Sequence, residues 1–175
     1  ELGRFRFVTK FSEIDSLLHR NHGGHTEIRF SLNTPAIIQQ YEKGTASMEE
    51  RLQAAKKTAE AGYPLGFLIA PIFIYPEWQR DYEMLLKQTA GSLKKEICPS
   101  FELITHRFTA RAKSNIQQVF PETTLPLNEE ERKFKYGQFG YGKYVYPKDV
   151  MEEIKEFFEQ QIGQYFPEAK IAYLV

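Results

Sequence analysis

Residues 65–74 read LGFLIAPIFI, an almost entirely apolar run. A short run of this kind is typical of a parallel strand that is covered on both faces. A predicted helix precedes it, in which Ser47 and Glu50 form a capping box and Gly62 supplies the C-terminal stop. We therefore expect a helix followed by a buried strand at the centre of the fold.

The same alternation extends in both directions along the chain. Strands are predicted over Arg4–Lys10, Glu27–Asn33, Phe101–Arg107 and Lys170–Leu174. Further helices are predicted over Ser12–His19, after Thr34-Pro35, and over Trp78–Leu93, Thr109–Val119 and Lys148–Gln164. Strands that alternate with helices predict parallel βα units, which a partial barrel or an open sheet would both satisfy. No GxGxxG or GxxxxGK[ST] motif appears, which argues against the two commonest nucleotide-binding folds.

The charge of the chain is balanced but unevenly distributed. Its 175 residues, enough for about one domain, carry 23 Lys and Arg and 23 Asp and Glu. A neutral total argues against a wholly basic nucleic-acid coat. Between Arg132 and Lys148, however, there are five basic residues and no acidic one, so a local basic patch is expected. The chain contains no run of about 18 apolar residues, so no membrane span is predicted.

The cysteine and histidine content limits the metal chemistry of the chain. The single Cys98 excludes a disulfide framework and a cysteine-built metal site within these residues. Three histidines stand at positions 19, 22 and 25, with Gly23 and Gly24 in a predicted surface loop, and no metal is expected there. Glu1 leads directly into a strand pattern, so we expect the chain to begin inside a larger fold.

Polar residues stand where the predicted strands end. Lys10 ends the first strand, Ser31 and Asn33 end the second, and His106 ends the fourth. Positions i and i+2 of a strand face the same way, so Ser31 and Asn33 could converge on one ligand. The alternative is that Asn33 and Thr34 only form a turn and cap a helix. His106 could contact a ligand or a phosphate, or it could be a structural histidine.

The most distinctive segment is residues 133–146, KFKYGQFGYGKYVY. Its glycines permit a tight hairpin, its lysines can meet phosphates, and its aromatic rings can stack on bases. The alternative is a twisted β-hairpin whose rings cover the core. Both interpretations fit the composition.

Five segments together resemble the spore photoproduct lyase family of radical S-adenosylmethionine enzymes, in the family's order and over nearly the whole chain. They are RFVTKF (6–11), RFSLN (29–33), AGYPLGFLIAPI (61–72), FELITHRFT (101–109) and GYGKY (140–144). The resemblance implies an α/β fold, the carboxy-terminal part of a partial (β/α)6 barrel with a glycine- and aromatic-rich hairpin. Residues 1–175 would then be a single incomplete domain, with the hairpin at about 133–146.

The resemblance also implies a cofactor and a reaction. Members bind a [4Fe–4S] cluster through a CxxxCxxC loop, and reductive cleavage of S-adenosylmethionine gives a radical that starts the conversion of the thymine dimer called spore photoproduct to two thymines. It implies that Lys10, Ser31 and Asn33 contact the methionyl and ribose parts of the cofactor and that Ala70 lies against its adenosine. The cluster cysteines and the hydrogen-donor cysteine are expected before Glu1. The chain alone is therefore expected to be inactive.

On the substrate side, the resemblance implies double-stranded DNA that contains spore photoproduct. It places Tyr141 at the lesion and assigns DNA contacts to Lys135, Lys143, His106 and Arg107. An electron donor such as flavodoxin or ferredoxin, a monomeric state, no membrane and a cytoplasmic location in the spore core are further expectations.

Two other functions stay open at this stage. Differences from the family at Asn33-Thr34-Pro35 and at residues 137–140 leave room for a related radical enzyme with another, non-DNA substrate. A stand-alone nucleic-acid-binding module is the third possibility, although it would leave unpaired strand edges.

Overall fold

The computed structural model describes residues 3–137 and 140–175. Its strands are β1 (Phe5–Thr9), β2 (Thr26–Leu32), β3 (Leu65–Ile72), β4 (Ser100–Thr105), β5 (Lys133–Tyr136), β6 (Gly142–Val145) and β7 (Lys170–Leu174). Its helices are α1 (Pro35–Tyr41), α2 (Met48–Glu60), α3 (Trp78–Ser92), α4 (Ala110–Val119) and α5 (Lys148–Tyr165). The predicted α/β class with a parallel sheet is confirmed.

Five strands form one sheet in the order β1-β2-β3-β4-β7, and every neighbouring pair is parallel. The order follows the chain without reversal, whereas a doubly wound sheet reverses its order at a switch point. Because all five strands run the same way, their carboxyl ends lie along a single edge. Residues from distant parts of the sequence are therefore brought together there.

Helices α1, α2, α3 and α5 cover one face of this sheet and form the core with it. Helix α2 begins with the predicted capping box, in which Ser47 accepts from the Glu50 amide and the Glu50 carboxylate accepts from the Ser47 amide. Phe67 and Phe101 are fully buried neighbours on β3 and β4, with ring centroids 5.6 Å apart. Tyr82 of α3 and Phe158 of α5 pack edge-on at 5.4 Å and are also fully buried. The buried apolar residues of α3 and α5 thus lie on the helix faces that the amphipathic patterns predict to be buried.

Strands β5 and β6 form a separate antiparallel pair, with Lys135 opposite Lys143. The pair is joined to the end of β4, because the Phe108 amide donates to the Tyr144 carbonyl (3.2 Å) and the Tyr144 amide donates back (2.7 Å). Residues 138 and 139 of the connecting loop lie outside the described residues. These hydrogen bonds thus hold the aromatic strand pair beside the carboxyl edge of the sheet.

Two sequence predictions require correction. The helix expected over Ser12–His19 is wrong: the segment forms turns, with Leu17 and Leu18 donating three residues back, and Asp15 pairs with Lys57 of α2. The strand expected to reach Ile74 ends at Ile72. The next two amides, of Phe73 and Ile74, donate to the tyrosine hydroxyls of residues 82 and 146 instead of to a neighbouring strand.

Within residues 3–137 and 140–175, no helix combines the length and the apolar character needed to cross a membrane.

Candidate functional site

A cavity of about 380 Å³ opens at the carboxyl edge of the sheet, between the ends of β1 to β4. Five residues that the sequence analysis singled out line it: Lys10, Ser31, Ala70, His106 and Arg107. Apolar side chains of Val8, Leu68 and Ile104 form the rest of its wall together with Pro71 and Thr105. A largely apolar concavity with a few convergent polar groups is the usual form of a small-molecule site.

Lys10 is held in the cavity by a buried ion network. Its ammonium pairs with Glu42, and Glu42 also accepts from Arg51 at 2.7 Å. Arg51 is fully buried and donates to the Ser31 carbonyl at 2.9 Å. The same pair of charges therefore positions both Lys10 and Ser31. Sequence reasoning missed this pair, although an arginine inside the apolar stripe of α2, beside Leu52 and Ala55, was a usable signal.

The Ser31 hydroxyl lacks a partner within the part of the chain that the structure describes. Its Oγ is buried and makes no hydrogen bond there. A buried hydroxyl without a hydrogen bond costs on the order of 1–3 kcal/mol. Because Ser31 lines the cavity, a ligand with a polar atom at this point would remove that cost.

Asn33 occupies a different position from the one expected. Its Nδ2 donates to the Pro71 carbonyl at 2.8 Å, and its Oδ1 accepts from the Tyr82 hydroxyl at 3.0 Å. β2 ends at Leu32, and the residues that line the cavity include Ser31 but not Asn33. The alternative interpretation fits better, since Thr34 caps α1 by accepting from the Ile37 amide. The cofactor contact of Asn33 stays a prediction.

His106 is a buried and neutral imidazole. Its ring stacks on Phe73 with centroids 4.6 Å apart, and Arg132 donates to its carbonyl at 2.8 Å and approaches its Nδ1 at 3.3 Å. Burial, together with the positive charge of Arg132, lowers the pKa of His106 to about 4. The ring is therefore uncharged at neutral pH, which suits a hydrogen bond better than an ion pair with a phosphate.

A basic cluster of Arg107, Lys135 and Lys143 extends from the cavity onto the strand pair. Arg107 lines the cavity, and Lys135 and Lys143 are opposite each other on β5 and β6. Burial lowers the pKa of Lys143, and the positive charges of Arg107 and Lys135 lower it further, which places the three cations close together. Like charges gathered in this way are stabilised by an anion such as a phosphate.

The aromatic rings of the strand pair divide into two groups. Tyr136 and Tyr141 are 80% and 82% exposed. Tyr144 instead packs between Phe108 at 5.3 Å and Phe134 at 5.1 Å. The two interpretations of the segment therefore apply to different rings. Tyr144 packs against other side chains of the protein, whereas Tyr136 and Tyr141 remain available to a partner.

The described residues do not fit an iron–sulfur cluster. Residues 3–137 and 140–175 contain no group of three or more His, Cys, Asp and Glu side chains that could hold a metal ion. Cys98 is exposed just before the amino end of β4, where its thiol donates to the Glu168 carbonyl at 2.8 Å. It lies at the opposite end of the sheet from the cavity.

Fold and site together define an α/β protein with a ligand cavity at the carboxyl edge of a parallel sheet and a basic, aromatic strand pair beside it. The family model of spore photoproduct lyase matches residues 1–175, and the chain belongs to this family.

Relatives and solved structures agree with this assignment. The spore photoproduct lyase of Clostridium acetobutylicum is 52% identical over 176 residues, which cover 100% of this chain and 52% of the relative. The enzyme of Bacillus subtilis is 45% identical and is matched over 99% of this chain and 51% of its own length. A spore photoproduct lyase mutant solved with bound AdoMet and dinucleoside spore photoproduct superposes with a TM-score of 0.94 at 43% identity, over 99% of this chain and 52% of that one. The chain thus spans about half the length of these relatives.

Proposed function

We propose that this chain supplies the S-adenosylmethionine site and the DNA-contacting surface of an enzyme that repairs spore photoproduct by a radical mechanism. The observation that carries the proposal is the cavity, which gathers Lys10, Ser31 and Ala70 directly beside the basic cluster. The names of the relatives support it, as do their origins in spore-forming bacteria.

The cofactor side of the proposal uses the ends of β1 to β3. The Lys10 ammonium would bind the carboxylate of the cofactor, and Ser31 Oγ would make the polar contact that it lacks among residues 3–137 and 140–175. Ala70, with only a methyl group, would leave room for the adenosine. Asn33 would contribute by fixing the Pro71 carbonyl at the cavity wall. When bound, the cofactor supplies the radical that removes a hydrogen from the substrate.

The DNA side uses the basic cluster and the exposed rings. Arg107, Lys135 and Lys143 would bind phosphates, and Tyr141 would stack against the lesion. Stacking on an aromatic ring is worth roughly 1–3 kcal/mol per base, and extruding a base costs a few kcal/mol. Two exposed tyrosines can therefore offset much of the cost of exposing a damaged base.

The remaining parts of the enzyme lie outside this chain in the proposal. A partial (β/α)6 barrel agrees with a strand order that never reverses. The [4Fe–4S] cluster would be held by a segment outside residues 1–175, because the described residues do not offer its ligands. An electron donor such as flavodoxin or ferredoxin, a monomeric state and a location in the spore core complete the proposal.

The test uses the full-length protein that carries this chain, reconstituted with iron and sulfide without oxygen. It is incubated with S-adenosylmethionine, a reductant and an oligonucleotide containing spore photoproduct, and recovered thymine is followed by chromatography. We expect repair, its loss with Ser31→Ala or Tyr141→Ala, and its retention with Tyr165→Ala as a control. Tyr165 lies at the far end of α5, where its hydroxyl donates to Glu83.

The repair assay can give two kinds of negative result, and each contradicts a different part of the proposal. Cleavage of the cofactor without repair would support the cofactor site and contradict the proposal that damaged DNA is the substrate. An unchanged substrate affinity after Tyr141→Ala would contradict the DNA substrate in the same way. If neither the cofactor nor the lesion reacts in a protein with a loaded cluster, the whole proposal is wrong.

A further inference from the structure

The hydrogen-bonding geometry of His106 assigns its proton. Arg132 Nη2 lies 3.3 Å from His106 Nδ1. A guanidinium has donors only, so Nδ1 must accept. In a neutral imidazole the proton is then on Nε2, which makes Nε2–H a donor. Among residues 3–137 and 140–175, Nε2 has no hydrogen-bond partner, whereas Nδ1 and the backbone groups of His106 are all engaged.

The direction of this donor is set before any ligand arrives. The ring stacks on Phe73, the His106 amide donates to the Ile72 carbonyl at 2.8 Å, and Arg132 holds the His106 carbonyl. The two backbone contacts fix the position of His106, and the stacking on Phe73 together with the approach of Arg132 Nη2 to Nδ1 limits rotation of the imidazole. A donor fixed in this way loses little entropy when it binds, which is the condition for a selective contact.

The position of His106 distinguishes between the possible acceptors. It lines the cavity on the β4 side, next to Arg107 of the basic cluster and across from Lys10 and Ser31. The cofactor side of the proposed site lies at β1 to β3, so His106 lies nearer the substrate. A phosphate would be bound better by the neighbouring cations, whereas a neutral donor matches an uncharged carbonyl oxygen.

We infer that His106 donates from Nε2–H to a ring carbonyl oxygen of the damaged thymine and thereby helps the protein distinguish damaged from undamaged DNA. The inference rests on the proposed function and deepens it, because it gives a specificity role to a residue that the sequence associated with DNA contacts in general. Undamaged thymine carries the same two carbonyl oxygens, so the discrimination comes from the lower cost of unstacking a damaged base and exposing it to this donor.

The experiment compares two variants of the full-length, cluster-loaded protein. His106→Phe keeps a planar ring on Phe73 and removes the donor, and His106→Gln keeps a neutral donor near the same point. Affinities are measured by fluorescence anisotropy for an oligonucleotide with spore photoproduct and for its undamaged copy, and by calorimetry for S-adenosylmethionine. We expect His106→Phe to weaken binding of the damaged DNA by on the order of tenfold, with the other two affinities unchanged. His106→Gln should restore most of the loss.

Other outcomes overturn the inference in identifiable ways. An equal loss on both DNAs with a smaller salt dependence would mean a phosphate contact, and a loss for S-adenosylmethionine would place the ring against the cofactor. Unchanged affinities would mean that His106 is only structural. If the wild-type protein itself does not prefer damaged DNA, the proposed function fails and the inference fails with it.

One measurement does not depend on the folding of a variant. Long-range ¹⁵N–¹H spectra of the full-length protein labelled with ¹⁵N-histidine report the tautomer of each ring. We expect a neutral imidazole with its proton on Nε2 for His106 at pH 7, and a shift of that nitrogen when damaged DNA binds. A proton on Nδ1, or an imidazolium, would overturn the inference.

Discussion

Arg51 and Glu42 show how a single pair of residues can control a site that neither of them lines. Arg51 is fully buried, Glu42 is nearly so, and together they hold Lys10 and the Ser31 carbonyl. Removing one member of a buried pair leaves the other charge uncompensated. We expect Arg51→Ala to lower the free energy of unfolding of the full-length protein by about 3–5 kcal/mol, measured by denaturant titration.

Lys57→Ala is the matched control, because Lys57 lies on the same helix and pairs with Asp15 at 3.0 Å in an exposed bridge. Exposed bridges contribute roughly 0–1 kcal/mol. Equal, small losses for the two variants would contradict the role given to the buried pair.

The neutral state of His106 makes stability depend on pH. The folded pKa is about 4, below the ordinary value of 6.5, so this contribution is fully present above pH 6.5 and is lost as pH falls toward 4. The loss amounts to about 3 kcal/mol at most, since each pKa unit corresponds to about 1.4 kcal/mol. Free energies of unfolding measured between pH 7 and 4.5 should fall less steeply for His106→Gln. Identical slopes in the wild type and in His106→Gln would contradict the assignment.

At the scale of elements, the pair of β5 and β6 depends on a glycine. A Cβ at Gly142 would overlap the Phe134 ring, which itself packs on Tyr136 and Tyr144. Gly142→Ala must therefore displace the ring and disturb the surface that presents Tyr136. We expect weaker binding of damaged DNA by the full-length protein, with the affinity for S-adenosylmethionine retained, in the anisotropy and calorimetry measurements described above.

Gly163→Ala in α5 is the control for this change. No atom of the described residues would lie within 4 Å of the alanine Cβ, and alanine favours a helix over glycine by about 1 kcal/mol. DNA affinity should be unchanged and the protein no less stable. If Gly142→Ala binds damaged DNA as tightly as the wild type, the arrangement of these rings does not matter for binding.

At the scale of the whole molecule, the chain has no net charge but carries a local basic surface beside the cavity. The total charge is zero, yet Arg107, Lys135 and Lys143 are gathered beside the cavity. Each phosphate contact contributes about −0.9 to the slope of log K against log salt. We expect Lys135→Gln to reduce this slope by about one, equally for damaged and undamaged DNA, in anisotropy titrations from 50 to 200 mM salt. Lys155→Gln should not change the slope, because Lys155 lies on α5 and neighbours Glu159. A slope unaffected by Lys135→Gln would exclude this lysine from the DNA contact.

The sequence by itself was enough for the α/β class, the order of the main elements and the place of the cavity. Apolar runs and helix caps are local signals, and the carboxyl ends of parallel strands must share an edge, so Lys10 and Ser31 could be placed at one edge. Ala70 was added to that site only by the family resemblance. The short helix expected over Ser12–His19 shows the limit of such signals, because a capping pattern alone did not produce a helix and the segment forms turns.

Only the tertiary structure decided how the polar groups of the site are used. Asn33 is engaged by Tyr82, 49 residues away, and the pKa of His106 is lowered by burial and by Arg132, 26 residues away. Whether a ring such as Tyr141 is exposed while Tyr144 is covered also depends on neighbours from other elements. Burial and the partners of a hydrogen bond are properties of the packed fold. They set the charge and the free donors of a side chain, and no local pattern contains them.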